Sequence, residues 1–224
     1  MQYRLRSRQT GFTLVEIAIV LVIIGLLLGG VLKGQELIEN SRIKSIVNDM
    51  KAIQAAYNGY IDRYKALPGD ETAATMTARG WTGTAGATVA GNGVLAINVN
   101  QTFNNGGDQS AFWRALRGSG LISGDPAAPA TVLGLPTHGG GGLLGVTAGP
   151  AYGSAGPLIC ASGLTTKQAA GIDGLVDGAG AANNTGSLLG AQGAANPLAP
   201  VAVAPAVTAY NETTPNRWTV CMRL

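Results

Sequence analysis

Residues 12–32 constrain this chain more than any other stretch: 21 consecutive positions carry a single charge, Glu16. A short basic leader, residues 1–10, precedes them with Arg4, Arg6 and Arg8 and no acidic residue. At 1.5 Å per residue, a helix of that length reaches about 31 Å, enough to cross the hydrocarbon core of a bilayer. The arginines lie on the N-terminal side, which keeps the leader in the cytoplasm and sends the C-terminal bulk outward. An ordinary secretory signal has a shorter apolar region followed by a small-x-small cleavage site. Here Gly29, Gly30 and Gly34 offer only a poor site of that kind. A better processing mark lies before the run, at Gly11-Phe12, where the missing side chain lets a protease close on the backbone. A plain anchor leaves Glu16 unexplained. A carboxylate costs roughly 2.5–3.5 kcal/mol at mid-bilayer, less near the interface, and such residues are usually functional.

The residues Gly11-Phe12-Thr13-Leu14-Val15-Glu16, with the basic leader before them and the apolar run after, resemble the class III signal of type IV pilins and type II secretion pseudopilins. The resemblance covers roughly residues 1–65. It implies cleavage after Gly11 by a membrane aspartyl peptidase, the prepilin peptidase, and N-methylation of Phe12. It also implies partners: other pilin subunits in a homo- or hetero-polymer, the inner membrane, and an assembly platform with its ATPase. The chain would sit in the inner membrane as a single-pass protein and then move to a periplasmic or cell-surface filament with its apolar helices at the centre.

Glu16 then has a physical role to fill. In a water-free core an unpaired carboxylate is costly, and breaking a buried pair costs several kcal/mol, about 3–5. The Phe12 amine created by cleavage is a natural counter-charge. If each Glu16 meets the Phe12 amine of a neighbour, one stagger between subunits satisfies both, and the pair sets assembly register. The alternative is a Glu16 satisfied by its own helix N-terminus, where negative charge is favoured.

The net charge of +3 and a pI near 9 suggest nucleic acid only until the charges are placed. Three of the 15 basic residues lie in the leader, so the mature chain has 12 basic against 12 acidic residues. No basic stripe for DNA remains, and no nucleic-acid partner is expected. Cys160 and Cys221 both lie beyond the membrane segment. An even count in an exported chain reads as one disulfide, with two buried free thiols as the alternative. Closing a loop of about 60 residues would stabilise the fold by roughly 4 kcal/mol on the chain-entropy model.

Beyond Lys33 the pattern turns amphipathic. Ile43, Ile46, Met50, Ile53, Tyr57, Tyr60 and Tyr64 recur at alternating spacings of 3 and 4, one helical face. Arg42, Lys44, Asn48, Asp49, Lys51, Asp62 and Arg63 occupy the other. One helix over residues 12–64 is expected, about 80 Å long. All ten prolines fall after residue 65. Lys33 stands where many major pilins and the major pseudopilin carry proline, a departure from the standard major subunit. Leu67-Pro68-Gly69-Asp70 ends the helix in a type II turn. The longer stretch from Tyr64 to Asp70 resembles a set of pilin-like proteins of uncertain role.

The rest of the chain holds 28 glycines and only 13 charged residues. Asp108 reads as the N-cap of a helix over 109–117 stopped by Gly118, and Thr165 as the cap of another towards Ile172. Strands are expected at 94–99, 131–135, 143–147, 157–161 and 217–224. In the last, Trp218, Val220, Met222 and Leu224 form an apolar face, with Cys221 on the other. Residues 139–142 and 178–206 read as surface loops. Trp81, Trp113 and Trp218 are expected in the core.

Catalytic chemistry is missing. His138, the one histidine, precedes four glycines and reads as a solvated loop residue, and no serine or cysteine has the context of a triad. Gly91-Asn92-Gly93 matches a dinucleotide fingerprint formally but lacks the following helix. Asp173, Asp177 and Asn183 are calcium candidates whose spacing fits no calcium loop, and turn formation explains them as well. No metal, no cofactor and no enzymatic activity are expected.

The expected architecture is α+β and pilin-like: a long N-terminal helix packed on a small antiparallel sheet domain with Gly-rich loops. Its segments are a cleaved leader (1–11), a membrane and filament-core half-helix (12–32), an amphipathic half-helix (33–65) and a periplasmic or extracellular β-rich domain (66–224). The implied function is a structural subunit, with a minor pilin as one form. Two alternatives stay open: a type II secretion pseudopilin, and a membrane-tethered adhesin or binding module that never polymerises.

Overall fold

The computed structural model describes residues 11–81, 90–104, 108–127, 134–178, 182–183, 185–204, 206, 209–210 and 217–224. Helix α1 spans Leu14–Tyr64, 51 residues without interruption. The described elements after it are α2 (Ala73–Ala78), a 3-10 turn (Val99–Gln101), α3 (Gln109–Gly118), β1 (Leu144–Thr147), β2 (Leu158–Leu164), α4 (Thr166–Val176), β3 (Leu188–Gly193) and β4 (Arg217–Arg223). The chain divides into two compact units, Met1–Asn40 and Ser41–Leu224. This is the α+β arrangement of a pilin-like fold, a long N-terminal helix followed by a small antiparallel sheet.

Within the second unit the core begins on the helix stripe. Ile43, Ile46, Met50, Ile53, Tyr57 and Tyr60 are all buried, and Tyr64 closes the stripe half-buried. The four strands run antiparallel in the order β1-β2-β4-β3. Pairing puts Leu144, Val146, Ile159, Ala161, Val220 and Met222 on one face of the sheet. That face looks towards α1: Leu144 and Ile53 line one cavity, Met222 and Gln54 another.

The C-terminal strand differs from the expectation of one apolar and one outward face. Thr219 and Cys221 are as buried as Val220, because loops cover the second face too. The Thr219 hydroxyl donates to Leu198 O at 2.8 Å, and the Tyr152 hydroxyl donates to Thr219 O at 3.2 Å. Gly145, in the same row as the cysteines, lies so close to Thr102 O and Phe103 that a Cβ would collide with both.

Other expectations are redrawn. Residues 94–99 form no strand. Their amides are taken locally, with Ala96 N donating to the Asp108 carboxylate at 2.7 Å, and the segment ends in the 3-10 turn. Asp108 sits at the N-cap position of α3, yet its side chain makes no capping bond to that helix. Most of the strand expected at 131–135 lies outside the described residues. Strand β3 falls inside the expected loop 178–206. It is ordered by its partners rather than by its composition: it pairs with β4 along its length, and Gly190 N donates outward to Asn183 O at 2.7 Å. Thr165 caps α4 as expected, with a reciprocal bond from Gln168, and that helix continues to Val176.

The exit from α1 is tightly bound. Lys65, at φ 54°, terminates the helix, and Gly69, at φ 92°, completes the Pro68-Gly69 turn with Asp70 N donating to Leu67 O at 3.1 Å. A Cβ on Gly69 would strike the backbone of Phe112 in α3. The buried Asp70 carboxylate accepts from Gly93 N at 2.8 Å, so residues 91–93 form a turn capped by this side chain. Glu71, also buried, accepts from the Tyr60 hydroxyl and takes a two-pronged ion pair from Arg79 at 2.5 and 2.6 Å. Arg79 stacks over the Tyr64 ring at 4.3 Å.

His138 is buried, not solvated. Its Nδ1 accepts from Gly140 N at 3.1 Å, which leaves Nε2 to donate to Ser162 O at 2.9 Å. Burial holds its pKa below the usual imidazole value. The four following glycines allow this turn to press on α1, where Gly139 N donates to Asp49 at 2.8 Å.

Candidate functional site

The residues expected to serve processing and assembly lie at the start of α1. Gly11 and Phe12 precede the helix and are exposed, Phe12 to 84%. Thr13 caps the helix, and Glu16 stands three residues on. The Glu16 amide donates to the Thr13 hydroxyl at 3.3 Å, while Glu16 Oε2 accepts from the Thr13 amide and hydroxyl, both at 2.8 Å. This is a reciprocal capping box, in which side chains satisfy backbone donors at both ends of the first turn. The bonds to the carboxylate converge on Oε2, and no described donor reaches Oε1. The pattern Thr-x-x-Glu is present in the sequence and is the signal that finds the cap.

From Leu14 to Leu32 no side chain is buried. Leu14 is 91% exposed and Leu26 74%. The helix contains an 18-residue window of mean hydropathy 2.8, long and apolar enough to cross a membrane. A Cβ added to Gly25, Gly29, Gly30 or Gly34 would meet nothing within 4 Å, so their surroundings within the chain demand no small residue.

Residues 6–32 match the family described as the prokaryotic N-terminal methylation motif. This is the class III signal of type IV pilins and pseudopilins. The motif indicates a pilin-like or pseudopilin-like precursor, and it implies prepilin peptidase processing and assembly with other pilin subunits. With its apolar helix, the precursor fits an inner-membrane anchored protein. The motif points to a structural protein. No curated protein matches the chain.

The other residues singled out in the sequence fall elsewhere in the precursor. Cys160 and Cys221 are bonded to each other, directly opposite on the adjacent strands β2 and β4 and fully buried. The bridge encloses α4 and β3. Asp177 turns its carboxylate back on the chain, accepting from Ser187 N at 2.8 Å and Leu188 N at 2.7 Å, which anchors the start of β3. The Asn183 side chain donates to Gly190 O at 3.3 Å. These two calcium candidates are thus committed to the chain itself. Asp173, one turn before Asp177, is fully buried. Burial, with the Asp177 charge adding to it, outweighs the help of Tyr210 and pushes its pKa up to about 6. Among the described residues no group of three or more His, Cys, Asp or Glu converges as a metal centre would need. The Tyr60–Glu71–Arg79 cluster leaves no signal in the sequence, since its members come from separate elements and only folding brings them together.

Proposed function

We propose that this precursor is a structural filament subunit of the minor-pilin type, cut after Gly11, methylated on Phe12 and polymerised from the inner membrane. The observation that carries the reading is the methylation motif joined to an apolar half-helix on which nothing is buried. Such a surface needs lipid or copies of itself around it. Glu16 supports a register role, because its Oε1 is left to accept from the Phe12 amine of a neighbour while Oε2 holds the helix cap. A filament delivers the disulfide-bonded unit to a periplasmic or cell-surface position. Lys33, in place of the proline of many major subunits, favours a minor role.

Mass spectrometry of the cell-derived chain, with purification of sheared filaments, tests this. A mature N-terminus at methylated Phe12 in the filament fraction is expected. A chain that keeps residues 1–11, or that stays monomeric in the membrane fraction after shearing, overturns it.

A further inference from the structure

A cleft of about 710 Å³ opens in the second unit where α1, the end of α4, the approach to β3 and the end of β4 meet. Two cations stand on its wall, Lys51 from α1 and Arg223 from β4. Neither has an acidic partner among the described residues. Arg223 is held in place rather than loose. Its Nε donates to Ser154 Oγ at 3.1 Å, and Gln54 Nε2 donates to its carbonyl oxygen at 2.9 Å. With Nε fixed, the two Nη groups form a planar fork with no acceptor among the described residues. The carboxylate beside this wall, Asp177, is already spent on the amides of Ser187 and Leu188.

We propose that the cleft binds a carboxylate, with Arg223 as the two-pronged contact and Lys51 as a second positive charge. A pre-oriented guanidinium matches the two oxygens of a carboxylate in geometry, where an ammonium supplies only a point charge. The volume lies within the range of about 300–1,000 Å³ seen for ligand clefts. It admits a small polycarboxylate, or an acidic side chain with its flanking backbone. The source is therefore either a soluble organic acid or another copy of this chain. The mature chain carries as many acidic as basic residues, so its copies can supply the carboxylate. The second source rests on the filament reading; the first does not.

The mature full-length chain in nonionic micelles, titrated with citrate by calorimetry at low ionic strength, tests the first source. Saturable binding of one citrate per chain is expected, weakened at least tenfold by Arg223→Gln and several-fold by Lys51→Gln. Arg223→Lys keeps the charge but loses the fork, and an intermediate loss is expected. Unchanged thermal melts establish that the variants are folded, and Lys51 is exposed enough for its variant to remain so. If citrate does not saturate, the yield of sheared filaments from the same variants decides: a several-fold drop with intact melts assigns the carboxylate to a neighbouring copy. The proposal is overturned if neither binding nor yield depends on Lys51 and Arg223, or if inorganic phosphate binds the same site more tightly than citrate. A native chain that forms no filaments sinks the filament reading instead, and the cleft is then judged on citrate alone.

Discussion

The two ends of α1 share one backbone conformation and have opposite surroundings. From Leu14 to Leu32 every side chain is exposed. From Ile43 to Tyr60 a stripe is buried, with Ile46 and Tyr60 at 0% exposure. The first part is apolar all round and has no partner among the described residues of its own chain. The second is apolar on one face and finds its partner in the sheet. A helix hydrophobic on every side must be enclosed by lipid or by other helices, whereas a striped one needs only a surface. On the proposed reading function divides accordingly: association belongs to the first part, and folding of the domain to the second.

Glu16→Ala tests this division most severely. We expect at least a tenfold loss of sheared filaments with no change in the melting of the disulfide-bonded unit. Normal filament yield would break the comparison at its first half. Replacing Cys160 and Cys221 together by serine should do the reverse. Chemical unfolding followed by tryptophan fluorescence should show a loss of about 4 kcal/mol, as for a loop of about 60 residues, with membrane association retained.

Glycines sharpen the contrast. Gly69→Ala forces a Cβ into the Phe112 backbone at a positive φ and should cost about 3 kcal/mol in the same unfolding assay. Gly25→Ala meets nothing within 4 Å and should leave the unfolding of the second unit unchanged, while strengthening the helix by up to ~1 kcal/mol.

The pH effects belong to two buried groups of the second unit. Asp173 keeps its proton up to about pH 6, against 3.8 for an ordinary aspartate. Its contribution is therefore whole below pH 3.8 and is lost as pH rises through 6. His138 runs the other way. Its folded pKa lies below 6.5, so its contribution is whole above pH 6.5 and is lost as pH falls towards the folded value. Between about pH 3.5 and 7 the stability of Asp173→Asn relative to the parent should move in the variant's favour, by about 3 kcal/mol. A flat difference would show that the carboxyl is ionised in the fold. His138→Gln should flatten the acid side of the profile in the same assay.

Much of this is legible in the sequence, for local reasons. Thr13 and Glu16 are three residues apart, the stripe from Ile43 to Tyr64 keeps helical spacing, and Thr165 and Gln168 form their cap within one turn. Each depends on neighbours in sequence, so the pattern can be read from the string. Strand β3 cannot be read that way. Its residues, Leu-Leu-Gly-Ala-Gln-Gly, have little strand propensity, and it exists because β4 pairs with it on one side and Asn183 on the other. His138 departs from its expected exposure for the same reason: four glycines signal a loop, and only the fold shows that loop pressed against α1 at Asp49. The cation pair Lys51 and Arg223 leaves no trace in the sequence.

By itself, then, the sequence determined the part of the protein that needs lipid or other helices around it, because a charge-poor run and a single carboxylate act through composition and spacing alone. The tertiary structure decided the rest: which Gly-rich segments become strand or turn, which side of β4 is covered, and that Arg223 and Lys51 line one cleft. Those outcomes turn on contacts between residues far apart in the chain, and no local pattern encodes the closing of such distances.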